Sequence, residues 1–303
     1  MIQYHSNSTI DRRKWDDCIA RSFNGIVYAY SWYLDIVSPE WDALIMDDYK
    51  SVMPLTWRKK YGIKYLFQPF FTQQLGVFST EKSNADLVNK FLEAIPEKFQ
   101  FIEINLNTFN QDYPAKTQKA NLTHELDLIE SYESISKNYS DNLKRNLKKA
   151  TNNKLRTVFV NQSDPVIKLF RKNRGAAVLN LKDRDYKTLA TLIQQAAQRN
   201  KAQIVNVLNE HNELCAGAFF IESNNKVIFL FSGLSEQGKS LNAMPFLIDS
   251  FIRKNAGKNV TLDFEGSNDL NLARFYKSFG SKECVYQQVK INRLSFPFNL
   301  LKR

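Results

Sequence analysis

The stretch Leu262-Asp263-Phe264-Glu265-Gly266-Ser267 decides how the second half of this chain folds, because apolar and acidic residues alternate in it until a glycine ends the pattern. Alternation with a period of two predicts a β-strand in which Asp263 and Glu265 face the same side. Carboxylates on an otherwise apolar strand are costly unless they are hydrogen-bonded, paired with a cation or used in chemistry. Asp263 and Glu265 are therefore candidate catalytic residues.

A short amphipathic helix, closed by a glycine, is predicted directly after this strand. It resembles the last helix of GNAT-type acyltransferases, whose loose pattern is Asn, two residues, Ala, two residues, Tyr and then a Gly. The residues that approximate this pattern are Asn271, Ala273, Tyr276 and Gly280. The resemblance implies that Tyr276 protonates a leaving group, and a tyrosine packed against the sheet is the structural alternative. Arg274 on the same helix is a candidate substrate-binding residue or an ion-pair partner for a strand carboxylate.

The same order of elements occurs twice along the chain, at 43–106 and at 203–265. Each segment contains strands joined by turns, then a helix with apolar residues at helical spacing, then a closing strand. An offset of about 160 residues is too long for a solenoid repeat and suits a duplicated domain. The pattern predicts an α+β fold in which each domain has a mixed sheet flanked by helices.

Two such domains in tandem resemble the FemAB family of aminoacyltransferases and the acetyltransferases related to it. A second similarity lies at 140–150, SDNLKRNLKKA, where family members carry a basic helix between their domains. The resemblance implies a first GNAT-like domain over 1–136, on the acceptor side. It implies a basic linker helix and a second GNAT-like domain over 137–303, on the donor and catalytic side.

Charge is divided unevenly between these two parts. Residues 1–136 carry 14 Lys and Arg against 18 Asp and Glu, whereas residues 137–303 carry 28 against 13. The net charges of −4 and +15 suggest that the second part meets an anion such as tRNA, a phosphorylated substrate or a membrane surface. The candidate polyanion-binding residues are Lys144, Arg145, Lys148 and Lys149. A basic helix face that only meets solvent is the alternative.

The donor is predicted less specifically than the fold. GNAT enzymes hold the pyrophosphate of acyl-CoA at a helix N-terminus, where backbone N–H groups are free. At the corresponding place, 235–243, Gly238 fits the family pattern, but Ser235 and Ser240 replace other expected residues. FemAB enzymes also depart from this pattern, since their donor is an aminoacyl-tRNA. Acyl-CoA and aminoacyl-tRNA both remain open as co-substrates, with no permanently bound cofactor and Gly238 as a candidate donor-binding residue.

A loop in the first part is the candidate acceptor site. A strand is predicted to end at Pro69, and two aromatic residues and two amides follow it. Phe71, Gln73 and Gln74 could line a pocket for an amine or amide acceptor. An ordinary packed loop is the alternative.

Composition excludes several classes of protein. The chain has 303 residues, of which 43% are hydrophobic and 24% charged, as in a folded globular protein. Three widely spaced cysteines argue against a disulfide framework, and the isolated histidines against a zinc site. With no signal peptide or membrane-spanning run evident, we expect a cytoplasmic protein.

Taken together, the motifs and the charge distribution leave two functions open. One is an acyl- or aminoacyltransferase with Glu265 as base and Tyr276 as acid, and the other is a non-catalytic relative that binds tRNA or another polyanion.

Overall fold

The computed structural model describes residues 1–81, 84–110, 118–160, 162–175, 181–266 and 268–295. Within these ranges the chain forms two compact units, one of residues 1–122 with 284–303 and one of residues 123–283. The division predicted between 136 and 137 lies inside the second of these units. Among the described helices, none has the length and apolar character that crossing a bilayer requires.

The described residues form helices and strands that are interspersed along the chain. The helices are α1 (Arg12–Arg21), α2 (Ser31–Val37), α3 (Ala85–Glu93), α4 (Tyr132–Lys137), α5 (Asp141–Asn152), α6 (Asp164–Phe170), α7 (Asp183–Gln198), α8 (Glu236–Ser240), α9 (Ala243–Asn255) and α10 (Leu270–Lys277). A π-helical turn at Arg171–Gly175 follows α6. The strands are β1 (Ile2–His5), β2 (Asp42–Met46), β3 (Ser51–Leu55), β4 (Trp57–Lys60), β5 (Ile63–Phe67), β6 (Phe78–Ser79), β7 (Phe99–Asn105), β8 (Gln118–Asp127), β9 (Arg156–Val160), β10 (Ala202–Leu208), β11 (Leu214–Ser223), β12 (Lys226–Leu234), β13 (Thr261–Asp263) and β14 (Lys282–Asn292).

The first unit contains an antiparallel sheet in the order β1-β2-β3-β6 and a row of strands in the order β4-β5-β7-β14. In that row β5 and β7 are parallel, and the other pairs are antiparallel. The chain is extended as far as Lys60 and turns at Tyr61 and Gly62 to begin β5. The core of this unit lies between α3 and the strands and includes Phe91, Phe99 and Ile102.

The second unit orders its strands β8-β13-β12-β11-β10-β9. Among the described strand pairs of this unit, β12 and β13 alone run parallel, and α9 is the crossover between them. Its core includes Phe220, Phe251 and Leu262, and the Phe220 and Phe251 rings stack with centroids 3.7 Å apart. Both units therefore share the predicted order of strands joined by turns, then a helix and a closing strand, and in each unit the closing strand has a parallel neighbour. The predicted α+β class with mixed sheets is confirmed.

Candidate functional site

Asp263 ends β13 and is an internal anchor of the second unit. It is 1% exposed, and its Oδ1 accepts hydrogen bonds from the Thr123 hydroxyl at 2.6 Å and the Glu265 backbone N–H at 3.0 Å. The Lys226 ammonium lies 3.9 Å from its Oδ2 and also contacts Glu125. Burial raises the pKa of Asp263, while Lys226 opposes that rise. These contacts give the carboxylate a role in holding β13 to its neighbours.

Glu265 does not share a strand face with Asp263, and that prediction is wrong. β13 stops at Asp263, and Glu265 has a φ of +52°, in the left-handed region. The short strand ends here because the side chain of Asp263 captures the N–H of Glu265, a local bond that competes with the ladder. The Oε1 atom of Glu265 is buried, and burial raises the pKa of this carboxyl to about 8. At neutral pH the carboxyl is therefore mostly protonated, and burial is the cause of the raised pKa.

Tyr276 lies on the buried face of α10. This helix begins at Leu270 because the Asp269 carboxylate accepts hydrogen bonds from the first free N–H groups, those of Asn271 and Leu272. The Tyr276 ring stacks on the Phe264 ring with centroids 4.8 Å apart. The Phe229 ring meets it edge-on at 6.5 Å. Tyr276 is 6% exposed, and its remaining surface lines a cavity.

This cavity, of about 460 Å³, is the main candidate site of the second unit. Its apolar lining is Phe170, Phe229, Leu234, Met244, Pro245, Leu272, Phe275 and Tyr276. Its polar lining is Asn146, Asn173, Ser232, Ser235, Glu236, Gly238, Lys239 and Asn242. An apolar cavity of this size with a few polar groups is typical of a small-ligand site. Two of the predicted site residues, Tyr276 and Gly238, are thus brought to one cavity.

Gly238 meets the cavity but is fixed by packing. A Cβ atom at this position would lie 2.1 Å from the carbonyl oxygen of Cys215. The N–H of Gly238 donates to the Ser235 hydroxyl at 2.8 Å, and Ser235 thereby caps the short helix α8. The glycine is needed because α8 lies directly on the backbone of β11.

A second cavity of about 520 Å³ lies between α5 and α10. It shares Asn146 and Phe275 with the first cavity. Arg274 and Lys277 supply cationic groups to it, and Lys277 is also paired with Glu283 at 2.8 Å. Arg274, predicted to bind substrate, therefore lies beside the Tyr276 cavity rather than in it.

Helix α5 presents a basic face to solvent. Its N-cap Ser140 accepts from the N–H of Leu143 at 3.2 Å, and Leu143 and Ala150 are buried. The four predicted polyanion-binding residues are all exposed or half-buried at the surface: Lys144, Arg145, Lys148 and Lys149. No described carboxylate forms an ion pair with any of them.

The predicted acceptor residues close a loop in the first unit. Gln74 is 1% exposed; its Oε1 accepts from the N–H of Thr108 at 3.0 Å, and its Nε2 donates to Gln73 Oε1 at 2.7 Å. Phe71 has a φ of +62°, and its carbonyl accepts from the Tyr33 hydroxyl. The polar groups of Gln74 are therefore used to hold the loop to Thr108 and to Gln73. Ser267, also part of the opening motif, lies outside the described residues.

His124 is a buried group that the sequence interpretation missed. It is fully buried, its ring lies 6.3 Å from the Tyr276 ring, and its Nε2 is 3.9 Å from Glu283. Burial lowers the pKa of His124, with Glu283 opposing the shift, which favours a neutral imidazole. The alternation along β8 predicts that His124 points to the side opposite Thr123 and Glu125, but not that β8 lies next to β13.

No protein-family model and no curated protein sequence matches this chain. Among solved structures, FemX aligns over 99% of both chains with a TM-score of 0.67 and 11% identity. The chain has the FemX fold. The C-terminal domain of a putative lysylphosphatidylglycerol synthetase from Agrobacterium fabrum aligns over 96% of this chain and 93% of its own, with a TM-score of 0.58 and 12% identity. L-PGS from Bacillus licheniformis aligns over 96% and 95%, with a TM-score of 0.56 and 11% identity. The FemAB-like, tandem GNAT-type fold expected from the sequence is confirmed.

Proposed function

We propose that the second unit of this FemX-fold chain transfers an acyl or aminoacyl group to an amine. The observation that carries the proposal is the cavity of about 460 Å³ that Tyr276 helps to line. Its apolar lining suits the side chain of an aminoacyl group or a short acyl chain. The names of the similar structures, a lysylphosphatidylglycerol synthetase and FemX, agree with this class of reaction.

Acyl transfer makes definite demands on the residues around the cavity. An amine attacks the carbonyl carbon, a C–N bond forms, the C–O or C–S bond of the donor breaks, and the leaving group takes up a proton. The Tyr276 hydroxyl is our candidate donor of that proton. Glu265 is not among the residues that line the cavity, so we propose that it accepts the proton of the attacking amine through a water. It can do so only as a carboxylate, a form that predominates above about pH 8. We therefore expect the highest rate under alkaline conditions.

An aminoacyl-tRNA suits the described surface better than acyl-CoA does. The N–H of Gly238 is bonded to Ser235 and is unavailable to a pyrophosphate, and Glu236 lies on the cavity lining, where its charge repels phosphate. The cavity lining also holds Lys239 beside that acid, so the charge there is mixed, whereas Arg274 and the basic face of α5 gather several cations on the α5 side. We propose that the donor's polyanion lies along α5 while its aminoacyl group enters the cavity.

A binding comparison tests this assignment. The purified chain is titrated with aminoacyl-tRNA, uncharged tRNA and CoA thioesters, and transfer to an added amine is measured in parallel. We expect aminoacyl-tRNA to bind at least tenfold more tightly than uncharged tRNA, because only the former fills the cavity. Equal affinities for charged and uncharged tRNA would show that the cavity does not bind the aminoacyl group. Preferential binding of CoA thioesters would identify acyl-CoA as the donor instead.

Two tryptophan variants on one helix make the comparison specific. Leu272 lines the cavity, whereas Leu270 on the same helix is 83% exposed. Leu272→Trp should fill the cavity and abolish the preference for charged tRNA. Leu270→Trp, an equal change of size in solvent, should preserve it. The second candidate function, a non-catalytic polyanion-binding protein, is favoured by the surface cations of α5 and predicts tRNA binding that neither variant changes.

A further inference from the structure

The hairpin formed by β4 and β5 in the first unit carries charge that sets it apart from its surroundings. Residues 57–67 contain four cations and no acid, within a part of the chain, 1–136, whose net charge is −4. Several other cations of this unit are paired, as in Lys14 with Asp48 and Lys90 with Asp86. Among the described residues, no carboxylate forms an ion pair with the hairpin cations Arg58, Lys59, Lys60 and Lys64.

The hairpin cations lie over aromatic rings. The Arg58 guanidinium is 4.1 Å from the Phe67 ring centroid, and the Lys64 ammonium is 4.2 Å from that of Trp57. At the tip, the Lys60 ammonium is 5.2 Å from the Tyr61 ring. The result is a strand pair in which three of the four cations lie against aromatic rings, with Lys59 and Lys60 exposed to solvent.

Tyr61 at the tip is the second, independent observation. Lys60 pairs with Ile63, so the loop has two residues, Tyr61 and Gly62, with φ values of +50° and +81°. A loop with both φ values positive favours Asn, Asp or Gly at its first position, and a bulky residue there is strained. Tyr61 is nevertheless 89% exposed, so burial in this chain does not offset the strain. Strain of this kind points to a function for the side chain.

We propose that the tip of this hairpin docks on the surface of an anionic lipid bilayer. Tyrosine and tryptophan favour the headgroup region of a bilayer, and lysine and arginine are attracted to anionic lipids. The tip is a two-residue turn that carries the exposed Tyr61 ring, which suits shallow insertion among headgroups. Single-stranded nucleic acid instead requires a platform of several rings along a groove. This inference is independent of the function proposed for the second unit.

Vesicle co-sedimentation of the full chain tests the proposal. We expect binding to vesicles of phosphatidylcholine mixed with phosphatidylglycerol, weakening as salt is added, and little binding to phosphatidylcholine alone. Lys59→Gln with Lys60→Gln should weaken binding by about fivefold for each charge removed. Lys168→Gln with Lys187→Gln removes two equally exposed charges from the second unit and should leave most of the binding intact.

Substitutions of Tyr61 separate docking from folding. Tyr61→Asn creates an Asn-Gly loop, the preferred sequence for this turn, so it should keep or raise the Tm while weakening vesicle binding severalfold. Tyr61→Trp should retain binding. The proposal is overturned if the hairpin variants bind anionic vesicles like the unmodified chain, if Tyr61→Asn lowers the Tm without affecting binding, or if the variants lose affinity for single-stranded RNA while vesicle binding persists.

Discussion

The Phe264 and Tyr276 rings stack with their planes 23° apart and their centroids separated by 4.8 Å. Phe264 follows β13 directly, and its N–H donates to the carbonyl of His124 in β8 at 2.9 Å. The sheet therefore determines where the Tyr276 ring lies, although α10 carries the residue. A proton donor whose ring is held by stacking keeps its orientation at the cavity through packing, as a positioned catalytic group requires.

Tyr276→Phe should lower turnover with little effect on folding. The stacked ring is retained, so we expect the free energy of unfolding to change by about 1 kcal/mol or less. Loss of a positioned general acid typically costs about 100-fold or more in kcat. Single-turnover transfer and thermal unfolding of the same preparation check the two expectations. Unchanged kcat would exclude Tyr276 as the proton donor and leave it as a packing residue.

Phe264→Leu is the matched test of positioning. It removes the stacking partner but leaves the Tyr276 hydroxyl, and it should cost about 1–3 kcal/mol in stability because a fully buried ring is removed. If stacking orients the hydroxyl, kcat per folded molecule should fall as well. A stability loss with normal kcat would show that the orientation of Tyr276 has another source.

Stability should fall as pH rises from about 4.5 to about 8, because of Glu265. Burial raises the pKa of this carboxyl from 4.5 to about 8, so the folded state holds the proton over a range in which the unfolded state has released it. The expected slope is roughly 1.4 kcal/mol of unfolding free energy per pH unit. Denaturant unfolding across this range measures the slope, which Glu265→Gln should flatten.

Glu265→Gln also tests whether Glu265 acts as the catalytic base. If Glu265 is the base, the rate should rise through about pH 8 as the carboxylate forms, and Glu265→Gln should abolish that rise and cut kcat by ~100-fold. A flattened stability profile combined with an unchanged pH–rate profile would assign Glu265 a structural role only.

The order of elements could be predicted from the sequence because period-two alternation and helical spacing are local signals. The short helix expected after the 262–265 strand is present as α10, and the basic helix expected at 140–150 is present as α5. The end of β13 could not be predicted, since it depends on Asp263 capturing the N–H of Glu265. Strand periodicity alone predicts Asp263 and Glu265 on one face. The positive φ of Glu265 ends that periodicity, so the two carboxylates do not share a face.

The site could be predicted only in part, for a similar reason. Tyr276 and Gly238 were identified by pattern and both line the cavity. The reason for Gly238, its close approach to the Cys215 carbonyl, and the position of His124 behind Tyr276 depend on which strands are neighbours. Sequence spacing does not specify such proximity between distant segments.

Gly238→Ala should be strongly destabilising. The added methyl would lie 2.1 Å from a backbone oxygen, and backbone cannot move aside as a flexible side chain can, so we expect a loss of about 3 kcal/mol. Ser240→Ala, an exposed position in the same short helix, should change stability by under about 0.5 kcal/mol. Equal stability of the two variants would contradict the close packing of α8 on β11.

The surface cations of α5 should contribute to polyanion affinity in proportion to their number. Lys144 and Lys148 are neighbours at i,i+4 and repel each other, so Lys144→Gln with Lys148→Gln should keep or slightly raise the Tm. Removing one lysine that binds a phosphate should lower the slope of log affinity against log salt by about 1. We therefore expect the tRNA-binding slope to fall by about 2 for the double variant, whatever the tRNA sequence. Lys168→Gln with Lys187→Gln removes the same charge elsewhere in the unit and should leave the slope nearly unchanged. Equal effects of the two pairs would mean that tRNA responds only to net charge, and absence of tRNA binding at low salt would show that α5 is a solvated face.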